Sequence, residues 1–179
     1  MERYTFSARI LHWLMAVGFL FMWGCGYAMT ALVKEDSPLE EALFGLHISV
    51  GVTLLFLLML RIVIRAISEI PAPLTALSNW EKVGSHLGHL ALYALSAAII
   101  ALGWAETDFG GHGVTWFGVA MPKLLPTMES LWGVNLETVT SQLHKYLAYV
   151  MLAVAAVHVA AVVKHRIEGH DVLDRMSFK

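Results

Sequence analysis

Four long stretches of apolar residues divide the chain, and its architecture is predicted from them. They lie near residues 10–32, 44–64, 83–104 and 139–163. Each has about 20 or more mostly apolar residues, the length that a helix needs to cross a hydrocarbon core of about 30 Å. Because backbone polar groups in lipid must be paired internally, each stretch is expected to be a helix. The pattern predicts an all-α, integral membrane four-helix bundle that forms a single domain over residues 1–179.

Composition agrees with a membrane protein and excludes several other classes. Hydrophobic residues make up 58% of the chain and charged residues 15%, whereas soluble domains have about 25% charged residues. The net charge of −2 and the absence of a basic run give no reason to expect a nucleic acid partner. The first apolar stretch is too long for a cleaved signal peptide, so we expect it to be retained.

Positive charges between the apolar stretches and near their ends predict the orientation. Nine lie at the termini and in the 61–82 connection: Arg3, Arg9, Arg61, Arg65, Lys82, Lys164, Arg166, Arg175 and Lys179. Three lie on the opposite side: Lys34, Lys123 and Lys145. The positive-inside rule therefore predicts that both termini are cytoplasmic, in a multi-pass protein of the bacterial inner membrane. The 105–138 segment is then a long outer loop, and its aromatic residues are expected at the membrane surface.

Two histidines on the fourth stretch, His144 and His158, are the most informative pair in the chain. They are fourteen residues apart, which on a helix is close to four turns and roughly 21 Å, so both project from one face. One helix would thus offer a nitrogen ligand near each membrane surface. Two haems stacked across a bilayer need such an arrangement.

The other histidines sort into the same two levels. His47 is the only other candidate within the outer half of the membrane, so we pair it with His144. The inner level is less determined: His158 is the strongest candidate and His12 its expected partner, but His86 and His89 also lie at this depth. Both could instead contact a haem propionate or a quinone. Arg61 could contact a haem propionate, or its charge could simply set the topology. Gly51 could allow the close approach of a haem macrocycle or of a neighbouring helix.

Ionisable residues inside a membrane are costly and usually functional. The apolar stretches have almost no Asp or Glu, which argues against a carboxylate-lined ion pathway and against a zinc site of the His-Glu-x-x-His kind. Neutral imidazoles suit bis-histidine haem, and without a Cys-x-x-Cys-His motif any haem would be noncovalent. A proton or metal transporter that uses histidines as relays is the alternative from another functional class.

At this point the chain resembles the bacterial cytochrome b561 family of small four-helix di-haem membrane cytochromes. The motifs that carry the resemblance cover almost the whole chain: Leu11-His12-Trp13, His47-Ile48-Ser49-Val50-Gly51, His86-Leu87-Gly88-His89 with Tyr93, Met121-Pro122, and the histidines His144 and His158. The resemblance implies two haem b groups, held by His12 with His158 and by His47 with His144.

The resemblance also implies a function. Superoxide oxidases of this family pass electrons from superoxide through both haems to ubiquinone, and a quinone site carried over here would involve His165. Acting alone, such a protein would be a superoxide:ubiquinone oxidoreductase. The alternative is a cytochrome b subunit that anchors a hydrogenase or dehydrogenase and takes electrons from a periplasmic redox protein.

One feature departs from the superoxide assignment. Steering of an anion requires positive potential, but the outer segments have eight acidic residues against three lysines: Glu35, Asp36, Glu40, Glu41, Glu106, Asp108, Glu129 and Glu137. Lys145, next to His144, is a local exception.

Overall fold

The structure is a computed structural model that describes residues 2–72, 76–128, 130–170 and 172–178. Its four long helices are α1 (Phe6–Tyr27, continued by a π-helical turn over Ala28–Leu32), α2 (Pro38–Ile67), α3 (Asn79–Phe109) and α4 (Leu136–Ile167). All four are long and apolar enough to cross a membrane. The predicted four-helix membrane fold is confirmed.

The helices extend beyond the predicted apolar stretches because polar residues cap them. At the start of α2, the Ser37 hydroxyl accepts a hydrogen bond from the Glu40 backbone N–H at 3.2 Å. The Asn135 side chain does the same for α4, accepting from the Thr138 N–H at 2.7 Å. Such caps satisfy the orphan N–H groups of a first turn. A count of apolar residues stops at these polar positions, whereas the helix does not, so the predicted bounds were too short.

Few residues of the four helices are buried within the protein. The helices pack mainly as two pairs, α1 with α2 and α3 with α4. Met15, Leu54 and Leu58 form the buried cluster between α1 and α2, and Gly18 allows the close approach, since a Cβ there would lie 2.8 Å from Leu54. Among the described residues of α4, Thr140 alone is buried. Most of the surface of α4 is therefore open to lipid or to a bound group.

The segment between α3 and α4 is more regular than the long loop that was expected. Helix α3 continues to Phe109 and α4 begins at Leu136. Between them are two antiparallel hairpins, β1 (Thr115–Trp116) with β2 (Val119–Ala120), and β3 (Ser130–Leu131) with β4 (Val134–Asn135). Both turns have a glycine with positive φ, Gly118 at 86° and Gly133 at 81°, as tight hairpins require.

The first hairpin is anchored on α2. The Trp116 indole N–H donates to the Thr53 hydroxyl at 3.0 Å, and the Phe117 backbone N–H donates to the Ser49 hydroxyl at 3.0 Å. The indole N–H of Trp116 is therefore satisfied by a hydroxyl on α2. Trp132, by contrast, is 94% exposed.

The two chain termini meet at the opposite end of the bundle. Arg9 donates to the Ser177 carbonyl at 2.7 Å, and the Trp13 indole donates to the Met176 carbonyl at 3.0 Å. We call this the terminal end, and the end with the two hairpins the loop end.

Candidate functional site

Four of the predicted histidines form two pairs, one toward each end of the bundle. His47 of α2 faces His144 of α4 toward the loop end, with ring centroids 6.1 Å apart. His12 of α1 faces His158 of α4 toward the terminal end, at 6.3 Å. Both pairs include a histidine of α4, as their fourteen-residue spacing predicts.

The ring separations fit one metal ion held between each pair. A metal–imidazole bond is about 2.0–2.1 Å long, so two nitrogens on opposite sides of a metal lie roughly 4 Å apart and their ring centroids about 6 Å apart. Direct hydrogen bonding between imidazoles would bring the two nitrogens to about 3 Å. The centroid separations of 6.1 and 6.3 Å leave room for one metal ion between the rings of each pair.

Hydrogen bonding at the loop-end pair leaves nitrogen atoms available as ligands. His144 Nδ1 lies 2.8 Å from the Ile99 carbonyl. A carbonyl only accepts, so Nδ1 must donate, and Nε2 of the neutral ring retains its lone pair. Metal-ligating histidines almost always have such a carbonyl, carboxylate or water partner. The buried Nδ1 of His47 has no hydrogen-bond partner within the described residues, and a buried unsatisfied nitrogen calls for a ligand or a water.

Two glycines lie directly against these rings. A Cβ at Gly103 would come within 3.0 Å of His144 Cε1, and one at Gly26 within 3.4 Å of His47 Cε1. Sequence reasoning missed both; glycine within an apolar helix is the signal that points to close packing. Gly51 serves another purpose, because its Cβ position faces Met22 of α1 at 3.5 Å. Of its two predicted roles, the structure supports helix packing.

A third imidazole lies at the terminal end. The ring centroids of His89 and His158 are 5.3 Å apart, and His89 Nδ1 donates to the Ser85 carbonyl at 2.7 Å. Of the two open alternatives on α3, His89 thus joins His12 and His158, whereas His86 is exposed on α3 one turn earlier.

Arg61 belongs to the same group of residues. Its Nε donates to the Tyr93 hydroxyl at 2.9 Å, its Nη2 lies 3.3 Å from His12 Nδ1, and its guanidinium carbon is 5.7 Å from the Tyr93 ring centroid. The structure therefore gives Arg61 a place beside the histidines, in addition to any effect of its charge on topology.

His165, the last of the predicted site residues, has its observed contacts elsewhere. Its Nδ1 lies 3.4 Å from a Glu168 carboxylate oxygen, and its ring centroid is 5.9 Å from that of His170. These contacts are at the turn that follows α4.

Comparison with known proteins matches nearly the whole chain. The family model for prokaryotic cytochrome b561 matches residues 3–179. The chain is also 31% identical over 177 residues to a protein named cytochrome b561 homolog 2 from Escherichia coli (strain K12), covering 98% of this chain and 91% of that protein.

Proposed function

Because the chain belongs to the prokaryotic cytochrome b561 family, whose role is transmembrane electron transfer by haem b, we propose that it carries electrons through two haems, from a donor at the loop end to a quinone at the terminal end. The observation that carries this proposal is the pair of opposed imidazoles at each end, about 6 Å apart and sharing α4.

In this proposal, His47 and His144 hold the loop-end haem. When bound, haem iron supplies reversible one-electron chemistry. The protein would supply two imidazole nitrogens, an apolar environment and fixed charges that tune the iron. The Ile99 carbonyl keeps His144 in the tautomer that has a free Nε2. Gly103 and Gly26 leave space beside the two rings.

At the terminal end, we assign His12 and His158 as the haem ligands, with His89 outside the pair. The His12–His158 separation of 6.3 Å nearly equals the 6.1 Å of the loop-end pair, whereas the rings of His89 and His158 are 5.3 Å apart. For Nε2 of neutral His12 to bind iron, its Nδ1 must carry the proton. The guanidinium of Arg61, which only donates, would then turn away from His12 and keep its bond to Tyr93.

His89 suits a quinone contact better than an iron bond. It is exposed on the surface of α3 and yet lies against His158, so a lipid-dissolved molecule could reach it close to the haem. Reduction of a quinone to a quinol takes two electrons and two protons. We propose that ubiquinone is the acceptor and that His89 contacts it; the two electrons would come one at a time by way of the bound haem b, and the two protons would come from the aqueous phase at the terminal end.

The distribution of charge orients this path. Among the described residues, eight of the predicted cytoplasmic cations belong to the segments of the terminal end, against three in those of the loop end. This excess would place the terminal end on the cytoplasmic side of the inner membrane. Electrons would then run from the periplasmic side inward.

For the donor, we propose a periplasmic redox protein or partner subunit with a basic surface. Of the eight acidic residues in the loop-end segments, Asp108 is buried and accepts backbone hydrogen bonds. The exposed ones include Glu35, Asp36 and Glu41, which gather where α2 begins. An acidic surface repels superoxide and attracts a cationic protein.

The haem content of variants tests the assignment of His47 and His144 as ligands. We expect the purified wild type to contain two haems per chain, by pyridine haemochrome assay and a reduced-minus-oxidised spectrum. His47→Ala and His144→Ala should each lose one haem and keep the other. The matched control is His112→Ala, an exposed histidine of the loop, which should keep both. A colourless wild type, or two haems in both ligand variants, would refute the assignment.

Two variants, His12→Ala and His89→Ala, test the assignment at the terminal end. His12→Ala should lose the second haem, whereas His89→Ala should keep both haems and slow reduction of a water-soluble ubiquinone analogue. The reverse result, with the haem lost in His89→Ala and kept in His12→Ala, would transfer the iron bond to His89.

Superoxide is tested separately by stopped flow. Oxidised protein mixed with potassium superoxide should show no haem reduction beyond a control with superoxide dismutase, if the donor is a protein. Rapid haem reduction sensitive to the dismutase would instead establish superoxide oxidation coupled to quinone reduction.

A further inference from the structure

Two histidines and a glutamate converge where α4 ends, away from the four paired histidines. His165 Nδ1 lies 3.4 Å, and His170 Nδ1 3.8 Å, from the same oxygen of Glu168, Oε2. All three side chains have a ligand atom within 4.8 Å of the others. We propose that this cluster binds one divalent transition-metal ion, with Zn²⁺ as the test case. The site would be independent of the haems.

The backbone at the end of α4 builds the cluster. The helix ends at Ile167, and Gly169 has a φ of 79°, which turns the chain back. The His170 N–H then donates to the His165 carbonyl at 2.8 Å, a helix-ending arrangement that favours glycine. As a result, the ring of His170 lies close to that of His165, although the two residues are five positions apart along the chain.

The donor atoms are those that zinc prefers. Imidazole nitrogen and carboxylate oxygen bind Zn²⁺ at about 2.0–2.2 Å, and three protein ligands leave a fourth position for water. Ligand atoms at tetrahedral angles lie roughly 3.4 Å apart at such bond lengths. The distances of 3.4 and 3.8 Å are close to that value, so small side-chain rotations would complete the site.

Apart from these long contacts with Glu168, the two imidazole nitrogens have no observed partner among the described residues. The Nδ1 atoms of His165 and His170 are buried, and neither has a hydrogen-bond partner among the described residues. Buried polar atoms are normally satisfied. A hydrogen bond from one imidazole to Glu168 would satisfy one nitrogen, whereas a metal ion would engage both and the carboxylate together.

The charges around the cluster favour a cation. Lys164 is the nearest positive group, 2.9 Å from Glu168 Oε2, but it is also paired with Glu81 at 2.8 Å. With both imidazoles neutral, two carboxylates against one ammonium leave a net charge of −1. A divalent ion would meet attraction, and Glu168 could bind it while Lys164 stays with Glu81.

Calorimetry tests the proposal. Tag-free protein in detergent, with its haems bound, is titrated with ZnCl₂. We expect one ion per chain, a dissociation constant at least tenfold weaker in His170→Ala, and similar weakening in Glu168→Gln, which keeps the side-chain shape. The control His112→Ala alters an exposed histidine that has one acidic neighbour, Glu137, and should bind as the wild type does.

Two results would overturn the proposal: no saturable heat with the wild type, or unchanged affinity in both Glu168→Gln and His170→Ala. Circular dichroism and the elution volume on size exclusion establish that each variant is folded. The heat signal does not depend on haem content. Failure of the metal site and failure of the haem assignment are therefore separate outcomes.

Discussion

Arg61 gives the strictest test of the terminal-end haem site. Its guanidinium lies beside His12 and is held by Tyr93. The Fe(III) haem core has one more positive charge than the Fe(II) core, so a nearby cation disfavours the oxidised state. Replacing Arg61 with the neutral residue glutamine should therefore lower the midpoint potential of this haem and leave the other haem nearly unchanged.

The size of the shift follows from the geometry. Arg61 Nη2 lies 3.3 Å from His12 Nδ1, and an imidazole places its metal about 4 Å from the far nitrogen. A guanidinium that turns from Nδ1 but keeps its bond to Tyr93 would therefore lie roughly 7 Å or slightly more from the iron. At an effective dielectric constant of about 20, two unit charges at that distance interact by about 2.4 kcal/mol. For a one-electron couple this is about 100 mV, since 59 mV corresponds to a tenfold change. A propionate beside the guanidinium would reduce the effect, so we expect a fall of roughly 50–100 mV.

Redox potentiometry followed by haem absorbance measures the shift. In the His47→Ala background only the terminal-end haem should be present, which removes overlap between the two spectra. Arg65→Gln is the matched control: it removes the same charge one turn further along α2, where the guanidinium carbon lies 5.8 Å from the Tyr4 ring centroid. A fall under 15 mV in Arg61→Gln, or an equal fall in the control, would refute the placement of Arg61 beside this haem.

Two further predictions concern the loop end. The carboxylate of Asp108 accepts hydrogen bonds from the backbone N–H groups of residues 124–125 at 2.8 and 3.0 Å. Asp108→Ala should therefore lower the free energy of unfolding by about 2–4 kcal/mol, measured as a lower thermal midpoint, and Asp108→Asn should be intermediate. Equal midpoints for wild type and Asp108→Ala would contradict this prediction. Gly103→Ala places a methyl group 3.0 Å from His144 and should reduce loop-end haem occupancy by more than half, whereas Gly84→Ala, which meets nothing within 4 Å, should keep full haem content.

The membrane architecture could be predicted from the sequence because its signals are local. A stretch of about 20 apolar residues has few options other than a helix in lipid. The fourteen-residue spacing of His144 and His158 fixes their shared face through helix periodicity. Both inferences depend on residues that are neighbours along one helix.

The ends of the helices were harder to predict. Ser37 and Asn135 are polar, and hydropathy excludes them, although each forms a cap through its side chain. The two hairpins between α3 and α4 were also missed, because Gly118 and Gly133 follow aromatic residues that pointed to a membrane-surface loop. The glycines that form these turns were visible in the sequence, but the neighbouring aromatic residues led to the prediction of an irregular loop.

The sequence by itself determined that there are four helices, that each is long enough to cross a membrane, and that the two α4 histidines share one face. Only the tertiary structure decided that His89 also approaches His158, that Arg61 lies beside His12 and that Gly103 packs on His144. These contacts depend on how each helix is rotated and shifted against its neighbours. Helix periodicity relates residues within one helix, whereas contacts between helices follow from packing of the whole bundle.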